Sequence, residues 1–195
     1  MTKTMIISTF PACGKTWLAK NYQRNIIQNA NRDTERYTCL EIDSSQFSRD
    51  NDKWYEKYVD AVQEAIGKYD FIFVSMQDVF LEELHNRNIP FVVVAPNNSQ
   101  WVTAEQARVI KQQWFGRFLL RDNSHIKDFN SWLNKLITKY DEWTSIDCLS
   151  SHSPADIFLL NQDEYLSSII SKLYFKKEHY PDIYDANKIN GKEAI

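Results

Sequence analysis

Glycine and cysteine are scarce in this sequence, which has four glycines and three cysteines among its 195 residues. Cys13, Cys39 and Cys148 show no C-x-x-C spacing, so their pattern indicates neither a disulfide framework nor a zinc site. No apolar run is long enough to span a bilayer, and the apolar part of the N-terminus is too short for a signal peptide. We therefore expect a cytoplasmic protein with reduced thiols and no attachment to a membrane.

The sequence also lacks a large excess of positive or negative charge, since its formal net charge is −3. This balance provides no overall field for holding nucleic acid or an anionic membrane, although it is compatible with a local basic patch. Apolar and aromatic residues are plentiful, at 43% and 14% of the chain. Because no linker, repeat or low-complexity tract interrupts it, we assign residues 1–195 to a single domain with one core.

Unbroken apolar runs alternate with amphipathic segments along the chain. Such runs are typical of strands buried in a parallel sheet, with helices as the connections between them. The predicted strands are Thr4–Ser8, Tyr37–Ile42, Phe71–Val74, Phe91–Ala95 and Asp156–Leu160. The predicted helices are Lys15–Asn29, Lys53–Lys68, Asp78–Asn86, Thr103–Arg121, Ile126–Glu142 and Asp163–Phe175. The pattern predicts an α/β fold, a parallel sheet of about five strands covered by helices on both faces.

Two regions depart from this alternation. Residues 101–145 are predicted to form a helical insertion between the fourth and fifth strands. Residues 176–195 are charged and contain Pro181 and Gly191, so we expect a loosely attached tail there.

The strongest local signal lies between the first strand and the first helix, where the chain reads Ser8-Thr9-Phe10-Pro11-Ala12-Cys13-Gly14-Lys15-Thr16. The phosphate-loop pattern G-x-x-x-x-G-K-[ST] is met at Gly14, Lys15 and Thr16, while Thr9 stands where the first glycine usually is. Backbone N–H groups of such a loop bind phosphate oxygens, Lys15 would neutralise the β- and γ-phosphates, and Thr16 would give its hydroxyl to Mg²⁺. We predict an ATP and Mg²⁺ site formed by Thr9, Pro11, Ala12, Cys13, Gly14, Lys15 and Thr16.

This segment resembles the small P-loop kinases, a group of nucleotide and polynucleotide kinases, zeta-toxin-like kinases and phage-encoded relatives. The resemblance rests on the motif in the first half of the chain and on architecture after Pro96. It implies a P-loop NTPase-like sheet, ATP as phosphoryl donor and an arginine-bearing lid. In polynucleotide-kinase-like and zeta-toxin-like enzymes, an Asp just past the second strand accepts the proton of the attacking hydroxyl. Asp43 stands at the matching position.

Asp43 follows the second predicted strand together with Ser44 and Ser45. Because ligands of such sheets bind beyond the carboxyl ends of the strands, we expect Asp43 to face Lys15, with both serines bonding the acceptor. The alternative is that these residues cap the next turn, since capping uses the same residue types. The third strand ends in Ser75 rather than in the Asp of a usual Walker B motif, so the second Mg²⁺ ligand stays open.

Cationic side chains cluster in the predicted insertion. Arg117 and Arg121 share one helical face and would meet the charge that develops during phosphoryl transfer, for which the guanidinium fork is suited. For Arg108 and Lys111, a solvated charged face is the simpler interpretation. Tyr165 follows the last strand and is a candidate adenine contact by its position in the fold.

These features predict an ATP-dependent phosphotransferase whose acceptor is a hydroxyl or phosphate of a nucleotide, nucleoside or nucleic-acid end. A kinase acting on a hydroxymethylated base in phage DNA is an alternative with the same chemistry. A third hypothesis is a non-catalytic nucleotide-binding regulatory module, which Thr9 and the absent Walker B Asp favour. The acceptor and the oligomeric state stay open at this point.

Overall fold

The strands in the described part of this protein form one parallel sheet and one short antiparallel pair. The computed structural model describes residues 2–21, 26–28, 34–48, 53–120 and 128–187. In chain order the strands are β1 Met5–Thr9, β2 Ile26–Gln28, β3 Thr34–Arg36, β4 Cys39–Glu41, β5 Phe71–Ser75, β6 Phe91–Pro96 and β7 Asp156–Leu160. The sheet has the order β4-β5-β1-β6-β7 with every neighbouring pair parallel, while β2 and β3 pair with each other.

Helices flank this sheet. They are α1 Lys15–Asn21, α2 Trp54–Ala65, α3 Asp78–Asn86, α4 Ala104–Leu120, α5 Phe129–Trp143, α6 Ile146–Ser150, α7 Leu166–His179 and α8 Pro181–Tyr184. None of the helices in the described part of the chain combines the length and the apolar character needed to cross a bilayer.

The central strand, β1, leads into the crevice where a ligand would bind. All five of its residues are buried, and it pairs with β5 on one side and β6 on the other. The chain leaves β1 toward the β4 edge of the sheet and leaves β6 toward the β7 edge. In open α/β sheets such a reversal marks the ligand crevice beyond the carboxyl ends of the strands.

The five predicted sheet strands and their parallel arrangement are confirmed. The prediction of one helix over Lys15–Asn29 is wrong in its second half, because α1 ends at Asn21 and Ile26–Gln28 is strand β2. The apolar spacing that predicts this helix includes two adjacent β-branched isoleucines, a residue type that favours strands. These isoleucines are in a strand because they pair with Thr34–Arg36, and a pattern within Lys15–Asn29 contains no information on that partner.

The helices between β6 and β7, which are α4, α5 and the unpredicted α6, pack into the core. The inward side of α4 and α5 is aromatic: the ring of Trp114 lies 5.7 Å from that of Phe118 and 5.2 Å from that of Tyr140. The same indole lies 5.0 Å from the ring of Phe10, the first residue after β1. The predicted insertion therefore contacts the segment that leads into the crevice.

The chain after Lys176 is packed as far as Asn187, which corrects the expectation of a loose tail in this part. The Thr4 amide donates to a carboxylate oxygen of Asp185 at 3.0 Å, and the Ala186 amide donates to the Thr4 carbonyl at 2.9 Å. These bonds fasten the end of the described chain to the start of the central strand. Residues 188–195 of the predicted tail lie outside the described residues.

Lys177 explains why charge is misleading in this segment. Its side chain is fully buried, and its ammonium lies 2.6 Å from a carboxylate oxygen of Asp70. It also donates to the Lys3 carbonyl at 2.9 Å and lies 4.9 Å from the centre of the Tyr174 ring. Asp70 compensates the charge of Lys177 inside the molecule, and this ion pair joins α7 to the start of β5.

We expect Lys177→Met to lower the free energy of unfolding by about 3 kcal/mol, because it removes one partner of a buried ion pair. Lys172→Met, on the exposed side of the same helix, is the matched control and should change this free energy by less than about 0.5 kcal/mol. Urea unfolding followed by tryptophan fluorescence measures both. Equal stability of the two variants would contradict a structural role for Lys177.

Candidate phosphate-binding site

The loop after β1 has a backbone shape that suits an anion. It runs from Phe10 to Gly14 and leads directly into α1. Ala12 has a φ of 61° and Gly14 a φ of 96°, so two of its residues are left-handed. Left-handed residues within a turn curve successive backbone N–H groups into a concavity that binds anions. The predicted phosphate loop therefore has a shape compatible with its predicted ligand.

Two helices hold this loop from behind. The indole N–H of Trp114, in α4, donates to the carbonyl oxygen of Pro11. The backbone N–H of Leu166, the first residue of α7, donates to the carbonyl oxygen of Cys13 at 2.9 Å. The loop thus has a defined shape before any ligand binds, which reduces the entropy lost on binding.

Thr9 fits the loop without being a glycine. It is the last residue of β1 and pairs with Ser75 of β5 and Val94 of β6, so its backbone is extended. Any residue adopts that conformation, whereas the left-handed positions fall at Ala12 and Gly14. The Thr9 hydroxyl oxygen is buried and has no hydrogen-bond partner within the described ranges.

Lys15 and Thr16 converge on one carboxylate, that of Glu41. The Thr16 hydroxyl donates to Glu41 Oε1 at 2.9 Å, and Lys15 Nζ lies 3.6 Å from the same oxygen. The side chains of Lys15 and Glu41 are 17% and 15% exposed, so this pair is largely shielded from water. Glu41 is absent from the residues predicted for the site. Its signal in the sequence is an acidic residue at the carboxyl end of a predicted strand.

The side chains of Thr16 and Glu41 suit Mg²⁺. This ion binds through one or two carboxylates together with hydroxyl, phosphate and water oxygens. Among the described residues, no group of three or more His, Cys, Asp and Glu side chains is arranged to hold a metal by itself. Phosphate and water oxygens would therefore complete the site. Ser75, at the Walker B position, donates its hydroxyl to Ser44 Oγ at 3.1 Å.

Asp43 caps the turn after β4, as the alternative interpretation holds. Its Oδ1 accepts a hydrogen bond from the Ser45 amide at 2.9 Å, at the start of the short 3₁₀ turn Ser44–Gln46. The cap uses one carboxylate oxygen, which is compatible with a second role for Asp43. Ser45 is exposed, whereas Ser44 is buried and its Oγ accepts from the Gln77 amide group at 3.2 Å. Ser44 therefore belongs to a network inside the protein.

Tyr58 joins the ends of β4 and β5 beneath these residues. Its buried hydroxyl donates to the carbonyl oxygen of Ile42 and accepts from the amide of Ser75, both at 2.9 Å. Burial raises the pKa of the Tyr58 hydroxyl, so it stays protonated and able to donate. This contact fixes the segment Glu41–Asp43 relative to the neighbouring strand.

Arg117 and Tyr165 lie together beside the predicted phosphate loop. The Arg117 guanidinium carbon is 3.9 Å from the centre of the Tyr165 ring, and its Nη1 donates to the Glu164 carbonyl at 2.7 Å. The ring also covers Gly14, where a Cβ atom would lie 3.5 Å from Tyr165 Cδ1. The structure thus brings two predicted site residues to the loop, with the arginine held by contacts within the protein.

The other cations predicted for this helix have different surroundings. Arg108 pairs with Glu105 at 2.6 Å, and both side chains are more than half exposed. Lys111 pairs with Asp141 of α5 at 2.7 Å. The Arg108–Glu105 pair has the surroundings of a solvated charged face, whereas the Lys111 side chain is 30% exposed and connects α4 to α5. Arg121 lies outside the described residues.

Cys13 is a packing residue of the loop. Its side chain is buried, and burial raises the pKa of the thiol to about 12, against the opposing effect of Lys15 and Arg117. The thiolate is the reactive form of cysteine, and it is scarce at neutral pH with such a pKa.

Comparison with known proteins adds no family assignment to this geometry. No family model matches the chain, and no curated protein or solved structure matches it.

Proposed function

We propose that this protein is an ATP-dependent phosphotransferase with a P-loop NTPase-like fold. The observation that carries the proposal is the anchored loop Thr9–Thr16 at the carboxyl end of the central strand, with Lys15 and Thr16 directed to one shielded carboxylate. A cation, a hydroxyl and curved backbone N–H groups are the groups that recognise a nucleoside triphosphate with its Mg²⁺.

In this proposal each group has a separate task. Backbone N–H groups of the loop and Lys15 bind the β- and γ-phosphates, and Thr16 and Glu41 contribute oxygens to the Mg²⁺ site. The bound ATP and Mg²⁺ supply the phosphoryl group and offset its charge. Arg117 packs on Tyr165, the residue before α7, and Asp43 caps the turn after the edge strand β4. We assign Asp43 to the acceptor and Arg117 to the donor.

The acceptor class in this proposal is a nucleotide, a nucleoside or a nucleic-acid end, with a hydroxyl or a phosphate as the attacking group. Labelled ATP incubated with nucleosides, nucleoside monophosphates, single-stranded oligonucleotides and DNA containing hydroxymethylated bases tests it. Transfer to any of these supports the phosphotransferase. Tight ATP binding without transfer to any of them, or to water, would instead support a regulatory nucleotide-binding module.

Glu41→Gln is expected to raise the Mg²⁺ concentration needed for half-maximal ATP binding by about tenfold, because it removes a charged oxygen from the metal site. Titration of ATP affinity against Mg²⁺ by calorimetry measures this shift. Asp78→Asn is the matched control, since Asp78 follows the end of β5, is 74% exposed and pairs with His152. An unchanged Mg²⁺ requirement in Glu41→Gln would remove Glu41 from the metal site.

A further inference from the structure

Trp114 reaches the phosphate loop from inside the core. It is 2% exposed, stacks on Phe118 of its own helix, and meets the ring of Phe10, at the start of the loop, at a tilt of 59°. Its indole N–H is a donor only, and a buried donor of this kind needs an acceptor. That acceptor is the Pro11 carbonyl, within the loop itself. The largest buried side chain of α4 thus ends on the backbone of the predicted phosphate site.

This contact sets the direction of the next backbone N–H. The described part of the chain has no cis peptide bond, so the Pro11 carbonyl and the Ala12 N–H point in opposite directions from one planar group. A carbonyl directed at Trp114, in the core, directs the Ala12 N–H away from the core. The Leu166 amide directs the Gly14 N–H in the same way, because it donates a hydrogen bond to the Cys13 carbonyl at 2.9 Å. Two N–H groups of the loop are aimed outward in this way.

Ala12 also needs to be held. Its φ of 61° is left-handed, a conformation that an alanine adopts at a cost in energy, unlike Gly14. Such a residue relaxes when its neighbours allow it, and rotation of the peptide between Pro11 and Ala12 is the simplest relaxation. The bond from Trp114 opposes that rotation.

We propose that Trp114 is a positioning residue of the phosphate site, one that holds the Ala12 N–H toward the phosphate oxygens. The inference rests on the proposed function and adds to it a coupling between α4 and the loop. Arg117 lies three residues later on the same helix, against Tyr165 and Gly14. A displacement of α4 would therefore change the loop and the arginine together.

Trp114→Phe removes the N–H and retains an aromatic ring. We expect it to weaken the binding of inorganic tripolyphosphate, with Mg²⁺ present, by about tenfold, the loss typical of one charge-assisted hydrogen bond. Phe118→Leu is the matched control, because it removes buried aromatic area from the same cluster and leaves the indole bond in place. Calorimetry on the full chain gives the affinities, and thermal unfolding gives the stability of each variant.

A second readout does not depend on a ligand. In ¹⁵N-labelled protein, Trp114→Phe should shift the backbone amide signals of Ala12 and Gly14, and Phe118→Leu should shift them much less. The proposal is supported if Trp114→Phe shows larger amide shifts and a larger loss of tripolyphosphate affinity than Phe118→Leu does. Trp114→Phe must at the same time be at least as stable as Phe118→Leu. Equal affinity loss in both variants, or unshifted amides in Trp114→Phe, overturns it while leaving the proposed function intact. Failure of the wild-type chain to bind ATP or tripolyphosphate overturns the proposed function and this inference with it.

Discussion

Lys15→Ala is expected to slow phosphoryl transfer by at least about 10²-fold and to weaken ATP binding at least about tenfold. Lys15 is the cation of the proposed phosphate loop, and its side chain is only 17% exposed, so its charge is poorly screened by water. Removal of one preorganised electrostatic contact to the reacting group costs roughly 10²–10³-fold in rate. Single-turnover transfer and calorimetric ATP binding measure the two effects separately.

The contact with Glu41 makes this expectation sharper. Without Lys15, the Glu41 carboxylate, 15% exposed, stays near the place where the phosphates would bind and repels them. The double variant Lys15→Ala/Glu41→Gln should therefore bind ATP better than Lys15→Ala alone in the absence of Mg²⁺. Lys20→Ala, at an exposed position of the same helix, is the matched control and should bind ATP like the wild type. Unchanged ATP affinity in Lys15→Ala would overturn the phosphate-loop assignment.

The sheet could be predicted because its strands carry their signal locally. β6 and β7 are short apolar runs whose neighbours break the pattern, and their bounds are close to those predicted. Elements fixed by distant partners could not be predicted. Ile26–Gln28 is a strand because of its pairing with β3, and Lys177 is buried because of Asp70, which lies more than one hundred positions earlier.

The candidate site divides in the same way. Gly14, Lys15 and Thr16 are adjacent in the chain, so a motif identifies them. Glu41 and Trp114 enter the site only through the sheet order and the packing of α4, and they have no motif of their own. The two serines after Asp43 have different surroundings, which identical residue types do not indicate: Ser44 is buried in a network and Ser45 is exposed.

Asp43 is the second residue for which we expect a large effect. Its Oδ1 caps the turn by accepting from the Ser45 amide at 2.9 Å, and an asparagine side-chain oxygen accepts that bond equally well. Asp43→Asn therefore preserves the cap and removes the basic oxygen. We expect stability to stay within about 0.5 kcal/mol of the wild type and ATP affinity to stay unchanged, because Asp43 is assigned to the acceptor. Transfer to a hydroxyl should fall by roughly 10²–10⁴-fold, the usual contribution of a positioned general base.

The chain offers a matched control for the cap itself. Asp128 caps α5 and accepts from the Ser131 amide at 3.2 Å, so Asp128→Asn tests the same substitution in the same local role. Asp43→Ala removes both the cap and the basic oxygen. It should therefore lower the free energy of unfolding by about 1 kcal/mol and also slow transfer to a hydroxyl. Thermal unfolding and single-turnover transfer on all three variants separate capping from proton acceptance. A full-rate Asp43→Asn enzyme would limit Asp43 to the cap. It would also favour a phosphate acceptor, which needs no strong base, and would leave the phosphate-loop proposal standing.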